Sequence, residues 1–479
     1  MPRIAANTND GTIMITMLQI AERLRLGHAT PDELIESALT SANNSKHIFI
    51  STLEQRAIND AGASTQRWQN GTQLSAFDGI PYAVKDLLDV AGSRTTAGSF
   101  TRVNAPMATK DAAVIAALTA QGMIPMGKTN LSEFAYSGLG LNPHFGTPVS
   151  DPATDDSRVP GGSSSGSAIA VQQGIVSCAI GTDTAGSIRI PAAFNGLVGY
   201  KASTGRYCME GVHPLAVTLD SLGSFAHTVA DCATFDALMR GCASVALRAA
   251  NLADLRFVVD DGVMIDPALQ PAVQHNLVSM MERLREAGAR VEYRTIAAVA
   301  HTRELITRSG WLGAIEAWRL LGPIVEGPQG VRMDRRVQAR LRSAKDIDSA
   351  TEARIRHLRM ELMAAIENEL DGAILVMPTV KHVAPPRAPL EDDDVLFAAV
   401  NLETLSLTMI GSLLDMPGVA IPSGRDSSGF ATSTLFSTTR DHDDHLLSVA
   451  LAVESSLSAS GFRTSAPFDA PPSHQAYVP

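Results

Sequence analysis

Cysteine is scarce in this chain. Its 479 residues include only Cys178, Cys208, Cys232 and Cys242. Their spacing matches no metal-binding pattern, and three of them sit among apolar neighbours, so buried free thiols are expected rather than disulfides or a metal centre. Positive charge is also short. With 39 Lys+Arg against 50 Asp+Glu the formal charge is −11, which excludes a nucleic-acid partner held on a basic face. No run of 18 apolar residues occurs, so no membrane span is expected. The opening MPRIAANTND lacks the apolar centre of a secretory signal. The expected compartment is the cytoplasm. Internal repeats and coiled-coil heptads are missing as well. The length allows about three domains or one large α/β unit.

What the chain does have is a dense stretch from Gly161 to Ser187, GGSSSGSAIAVQQGIVSCAIGTDTAGS. Two Gly/Ser-rich loops bracket an apolar segment long enough for one short helix and one short strand. Ala168, Ile169, Ala170, Val171, Ile175, Val176, Ala179 and Ile180 read as core, which a flexible linker would not contain. A phosphate-binding loop needs Gly-Lys-Ser/Thr, and no lysine lies in the stretch. A G-x-S-x-G nucleophile elbow is present only in fragments, with no Asp and His following in order. Small residues in both loops let backbones approach closely and leave hydroxyls and N–H groups free to converge. Acyl transfer needs that convergence: a nucleophile, a proton carrier and donors for an oxyanion.

Around it the pattern alternates. Residues 13–45 read as two amphipathic helices, the second opened by a Thr30-Pro31-Asp32-Glu33 capping box. Such an arm packs on the outside or on a partner subunit, which allows a homodimer. Residues 47–51 read as a strand. Residues 77–90 read as a mostly apolar strand carrying Lys85, which composition alone leaves open as an edge lysine or a functional one, since a lysine is rarely buried unpaired. A helix over 110–121 precedes a strand at 123–130 that leaves at Gly127. Lys128 and His144 read as surface or structural residues. Ile188 to Asn195 reads as a helix with Pro191 in its first turn, where proline is tolerated. Its N-terminal N–H groups would lie just past Ser187. Further on come a strand at 255–260, a helix at 266–287 and a strand at 290–294. Residues 300–370 are helical, and Arg335, Arg336 and Arg340 read as solvated faces. Strands at 372–378, 418–422 and 432–436 and helices at 402–414 and 443–457 complete the pattern. A Pro/Ala/His tail at 464–479 carries no core signal. The fold class is α/β, a large mixed sheet covered by helices on both faces.

The text of 161–205, GGSSSGS and then GTDTAGSIRIPAAFNGLVGYK, closely resembles the amidase signature family. Further blocks agree: GIPYAVKD at 79–86, GKTN at 127–130, LDSLG at 219–223, and the MPT and LLDMP segments starting at Met377 and Leu413. The resemblance implies a single amidase domain over 1–479. Its parts are an N-terminal helical arm (1–60), a catalytic core (75–240), a helical variable region (300–370) and a return to the sheet (371–460). It implies a Ser–cis-Ser–Lys triad, falling on Ser187 as nucleophile, Ser163 as bridge and Lys85 as base. The oxyanion hole falls on the backbone N–H groups of Thr184, Ala185, Gly186 and Ser187. Asp183, Arg189 and Ser164 take supporting positions. Substrate contacts fall on Tyr136, Ser137 and Gly138, with pocket walls from 136–144, 206–216 and 300–345. Ala185, Ser165, Ser224 and His227 depart from the residues common in the family. None of them is a triad position. Ala185 is acceptable if its φ is negative.

The chemistry agrees. A serine hydroxyl is a weak nucleophile until a base takes its proton. With no readable Asp–His pair, a lysine is the available base. At an ordinary pKa of about 10.4 it would be neutral less than ~0.1% of the time at pH 7, so it must be buried, here among Val84, Leu87 and Leu88. Few aromatics, with Trp311 and Trp318 among Leu and Met, suggest an apolar pocket. The expected activity is hydrolysis of a small-molecule carboxamide to carboxylate plus ammonia or amine, with no metal and no cofactor. Two alternatives stay open: an ammonia-producing subunit of a tRNA-dependent amidotransferase, and a non-catalytic scaffold that kept the fold.

Overall fold

The computed structural model describes residues 15–150, 157–242 and 247–459. The opening decapeptide and the 464–479 tail lie outside them. Eleven strands form one mixed sheet. In chain order they are β1 (Phe49–Thr52), β2 (Pro81–Lys85), β3 (Ile124–Thr129), β4 (Cys178–Asp183), β5 (Val198–Lys201), β6 (Ser221–Ala226), β7 (Arg256–Asp260), β8 (Arg290–Arg294), β9 (Ile374–Pro378), β10 (Gly418–Arg425) and β11 (Ala431–Ser437). Across the sheet they run β1-β3-β2-β4-β6-β5-β10-β11-β9-β7-β8. β2 is parallel to both β3 and β4, β7 is parallel to β8 and β9, and the pairings between β4 and β9 are antiparallel.

Side-chain alternation distributes the core over two faces. Tyr82, Val84, Cys178 and Ile180 enter one apolar layer, together with residues of the helices Val229–Met239, Pro271–Glu286 and Asp443–Ala459. Ala83 and Ala179 face the opposite layer, where the helix Ser165–Gln172 packs. The N-terminal helices Met17–Arg25 and Pro31–Asn44 form as the capping signals predict, with reciprocal boxes at Thr16/Gln19 and Thr30/Glu33. Their apolar faces are taken by this chain. Met17 is fully buried and its N–H donates to Asp231 at 3.0 Å, while Ile35, Ala38, Leu39 and Ala42 join the second layer.

Several boundaries move for identifiable reasons. The strand carrying Lys85 is five residues long and internal, with Pro81 at its first position, where a missing donor is tolerated. β3 does not leave at Gly127; the glycine lets Phe49 of β1 press against it, since a Cβ there would sit 2.7 Å from the ring. Pro271 starts the helix expected from 266. The single helix expected at 402–414 is two, Asp394–Leu405 and Thr408–Leu413. Between them the Thr408 hydroxyl and carbonyl turn toward the loop that carries Ser187. Of the cysteines only Cys178 and Cys232 are buried, Cys208 being exposed and Cys242 intermediate, and all four are free thiols. No helix of the described residues is long and apolar enough to cross a membrane.

Candidate active site

Adjacent parallel strands set the site. Lys85 ends β2, and Thr182 and Asp183 end β4, its neighbour. The Lys85 side chain is fully buried, and its Nζ donates to Ser163 Oγ and to Thr182 Oγ1, each at 2.7 Å. No carboxylate among the described residues forms an ion pair with it. Burial therefore dominates and pulls the amine down to about 7, although Asp183 and Asp220 act in the opposite direction. Ser163 follows the Gly161–Gly162 turn, where Gly161 takes φ +74°, and its own peptide bond with Gly162 is cis. A Cβ on Gly162 would meet the Gly140 nitrogen at 2.5 Å, so only glycine admits this approach.

The second loop is held by a buried ion pair. Arg189 Nη2 donates to Asp183 Oδ1 at 2.8 Å and its Nε to Oδ2 at 3.0 Å. Its remaining donors reach the Thr408 carbonyl and Ser412 Oγ. Asp183 also accepts the N–H groups of Gly186 and Ile188 at 2.7 and 3.0 Å, so one carboxylate shapes the turn on both sides of Ser187. Burial raises the Asp183 carboxyl, but Arg189 and these donors prevail and hold it at about 2. The two loops are joined by Ser164, whose N–H donates to the Ser187 carbonyl at 3.3 Å and whose hydroxyl donates to the Thr182 carbonyl. Lys128 pairs with Asp86 at 2.8 Å in full burial, and His144 stacks on Phe100, so both are structural.

The four N–H groups expected to face an oxyanion are not equally available. The Gly186 N–H is already engaged by Asp183, whereas those of Thr184, Ala185 and Ser187 take no acceptor among the described residues. Ala185 keeps a negative φ, so the alanine costs the turn no strain. The helix Arg189–Phe194 starts just past Ser187, as its sequence predicts.

Ser187, Thr184 and Ala185 line a cavity of about 270 Å³. Its wall includes Ala135, Tyr136 and Ser137, then Leu215, Trp311 and Arg340, and finally Asn401, Leu402, Leu405 and Met409. Gly138 is not on the wall. It serves the first loop instead, accepting the Gly162 N–H while its own N–H donates to Asn401. Trp318 also lies off the cavity, under Lys345. Arg336 is not solvated, and Arg340 is only partly exposed. Arg336 is buried against Asp334, and Arg340 stacks on Tyr136 at 4.6 Å. Sequence reasoning missed Thr182, Asp220, Asn401 and Thr408. Thr182 and Asp220 lie inside the motif text itself, Thr182 beside Asp183 at the end of β4 and Asp220 just before β6. Asp220 accepts from Thr184 Oγ1 and from the Leu215 and Ala216 N–H groups, and burial pushes its carboxyl up to about 6. Asn401 and Thr408 sit in apolar helical text and gave no signal.

Comparison with known proteins gives the family. A family model described as Amidase matches residues 33–447. A 2-amino-5-chloromuconic acid deaminase from Comamonas testosteroni is 33% identical over 412 residues, covering 83% of this chain and 86% of its own length. A glutamyl-tRNA(Gln) amidotransferase subunit from Chromohalobacter salexigens is 41% identical over 221 residues, spanning 46% of this chain and 45% of that protein. A crystal structure of an amidase superposes with a TM-score of 0.80 at 27% identity, over 93% of this chain and 99% of its own. The chain belongs to the amidase (amidase signature) family and is a hydrolase of C–N amide bonds.

Proposed function

We propose that the chain hydrolyses a small-molecule carboxamide through an acyl-enzyme on Ser187, with Ser163 and Lys85 as the proton relay. The observation that carries this reading is a fully buried lysine, 2.7 Å from a serine hydroxyl, with no carboxylate in ion-pair contact among the described residues. Neutral Lys85 takes the Ser163 proton as Ser163 takes that of Ser187. Ser187 Oγ bonds to the amide carbon, and the carbonyl oxygen becomes an oxyanion within reach of the free N–H groups of Thr184, Ala185 and Ser187. The proton returns through Ser163 to the leaving nitrogen, the C–N bond breaks, and ammonia or an amine departs. Water then gives its proton to the same relay and attacks the acyl carbon, and Ser187 leaves reprotonated. Asp183 and Arg189 shape the turn, and Thr182 aims the amine.

The test is covalent. A fluorophosphonate should label the protein at Ser187, read by peptide mass spectrometry, and Ser187→Ala should abolish amide hydrolysis with the fold retained. An adduct elsewhere, with Ser187→Ala still active, overturns the assignment. A second reading, an ammonia-producing amidotransferase component, draws on the 41% identity to the glutamyl-tRNA(Gln) amidotransferase protein over 46% of this chain. Stable co-purification with a second protein, together with glutaminase activity only in that complex, would favour it. Failure to react with any amide or with the probe would favour a binding scaffold.

A further inference from the structure

The cavity beside Ser187 is apolar along most of its wall, from Leu215, Trp311, Ala314, Ile347, Leu405 and Met409. One charged side chain lines it. Arg340, in the helix Arg335–Arg342, stacks its guanidinium on the Tyr136 ring and donates through Nη1 to the Tyr136 carbonyl at 2.6 Å. That contact uses one of five N–H donors. Among the described residues no carboxylate pairs with Arg340, and no Asp or Glu lines the cavity. Its neighbours on the same helix differ: Arg336 is matched by Asp334 and Arg335 by Asp394. A cation held in apolar surroundings without a counter-charge is unfavourable unless something else supplies one. The guanidinium fork matches a carboxylate bidentately.

Building on the Ser187 amidase reading, we propose that Arg340 binds a carboxylate on the substrate and selects short amides that carry an acid group remote from the scissile amide. The arginine is a specificity-determining residue: the apolar wall receives the connecting methylenes, and the anion ends at the fork. The volume of about 270 Å³ lies below the range of drug-sized pockets and suits a short chain.

The experiment uses the full chain and a matched panel. Succinamate, glutaramate and adipamate are compared with uncharged partners of equal length in which an isopropyl terminus replaces the carboxylate, scored by ammonia release. The unaltered protein should prefer at least one acid over its partner by about 10²-fold in kcat/KM. Arg340→Met should collapse that ratio toward one, and Arg340→Lys, which keeps the charge and loses the fork, should fall between. Equal turnover of acids and neutral partners, or an unchanged ratio in Arg340→Met, overturns the proposal and leaves the amidase reading standing. If the panel is not turned over at all, calorimetric titration of Ser187→Ala with the same compounds decides. Binding of an acid that Arg340→Met abolishes sustains the carboxylate site and counts against the hydrolytic reading. Absence of acid-selective binding overturns the site.

Discussion

Replacing Lys85 by methionine tests the proposed base and its surroundings together. Burial holds the Lys85 amine at about 7 instead of 10.5. On that value about a tenth of the protein carries a neutral base at pH 6 and about nine-tenths at pH 8. Amide kcat/KM of the parent should therefore rise about tenfold between pH 6 and pH 8 and then level off. An amine at 10.5 would instead keep gaining, about a hundredfold from pH 8 to pH 10. Stability follows the same displacement with a definite sign. The folded amine loses its proton near 7 and the unfolded one near 10.5, so the unfolded state binds more protons in that window and stability climbs with pH across it. Below pH 7 the penalty is complete, about 5 kcal/mol at about 1.4 kcal/mol for each tenfold change in the proton equilibrium, and it vanishes above 10.5. Methionine carries no such penalty. Lys85→Met should thus gain on the parent most at pH 6, with the advantage shrinking by roughly 2–3 kcal/mol at pH 9. Urea unfolding of both proteins at the two pH values reads this directly. Amide kcat/KM of the variant should fall by ~10²-fold or more, and Lys85→Arg should not restore it, because guanidinium stays protonated. Substantial turnover by Lys85→Arg, or a methionine advantage identical at pH 6 and pH 9, refutes the reasoning.

Two further outcomes follow from the loops. Ser163→Ala removes the hydroxyl 2.7 Å from Lys85 and should lower kcat by ~10²–10⁴-fold with KM little changed; hydrolysis at the parental rate would mean that Lys85 acts on Ser187 without a bridge. Arg189→Met leaves the fully buried Asp183 carboxylate unpaired, and breaking such a pair costs about 3–5 kcal/mol; a urea midpoint within experimental error of the parent would show that the turn is held by other means.

The candidate catalytic groups are legible because they lie close together in the text or in uninterrupted blocks. Gly161-Gly162, the serines after them and the GTDTAGS turn are constrained by backbone geometry, and such constraint leaves a local residue pattern. The alternation of strands and helices was legible for the same reason, as it rests on local periodicity. The cavity was not. Its wall is assembled from residues near 136, 215, 311, 340 and 405, brought together only by the order of the sheet. Arg336 and Arg340 read as solvated because a charged helix announces its own face, and nothing local says that Tyr136 or Asp334 will cover it. The break at Ser406–Leu407 was hidden likewise. No proline or glycine marks it, and it exists because Thr408 bonds to Ala185 and Arg189 across the molecule.

Burial alone does not make a lysine a base, and this chain contains its own controls. Lys128 is as buried as Lys85, but Asp86 lies 2.8 Å away and pairs with it. Lys201 is buried too, and burial first, then Arg189, pull its amine down. Yet its Nζ donates to the Ala202 and Met416 carbonyls, which have no proton to pass on. Lys85 is the case in which a lowered amine meets hydroxyls, Ser163 and Thr182, one of them on the loop joined through Ser164 to Ser187. A proton relay needs both conditions: a base that is neutral near pH 7 and a partner that can lose one proton while gaining another. Arg340 extends the reasoning to binding. Its helix neighbours have their counter-charges, and the guanidinium in the cavity has only a carbonyl and a ring. The guanidinium left without a carboxylate in the cavity beside Ser187 marks where the proposed substrate acid completes the arrangement.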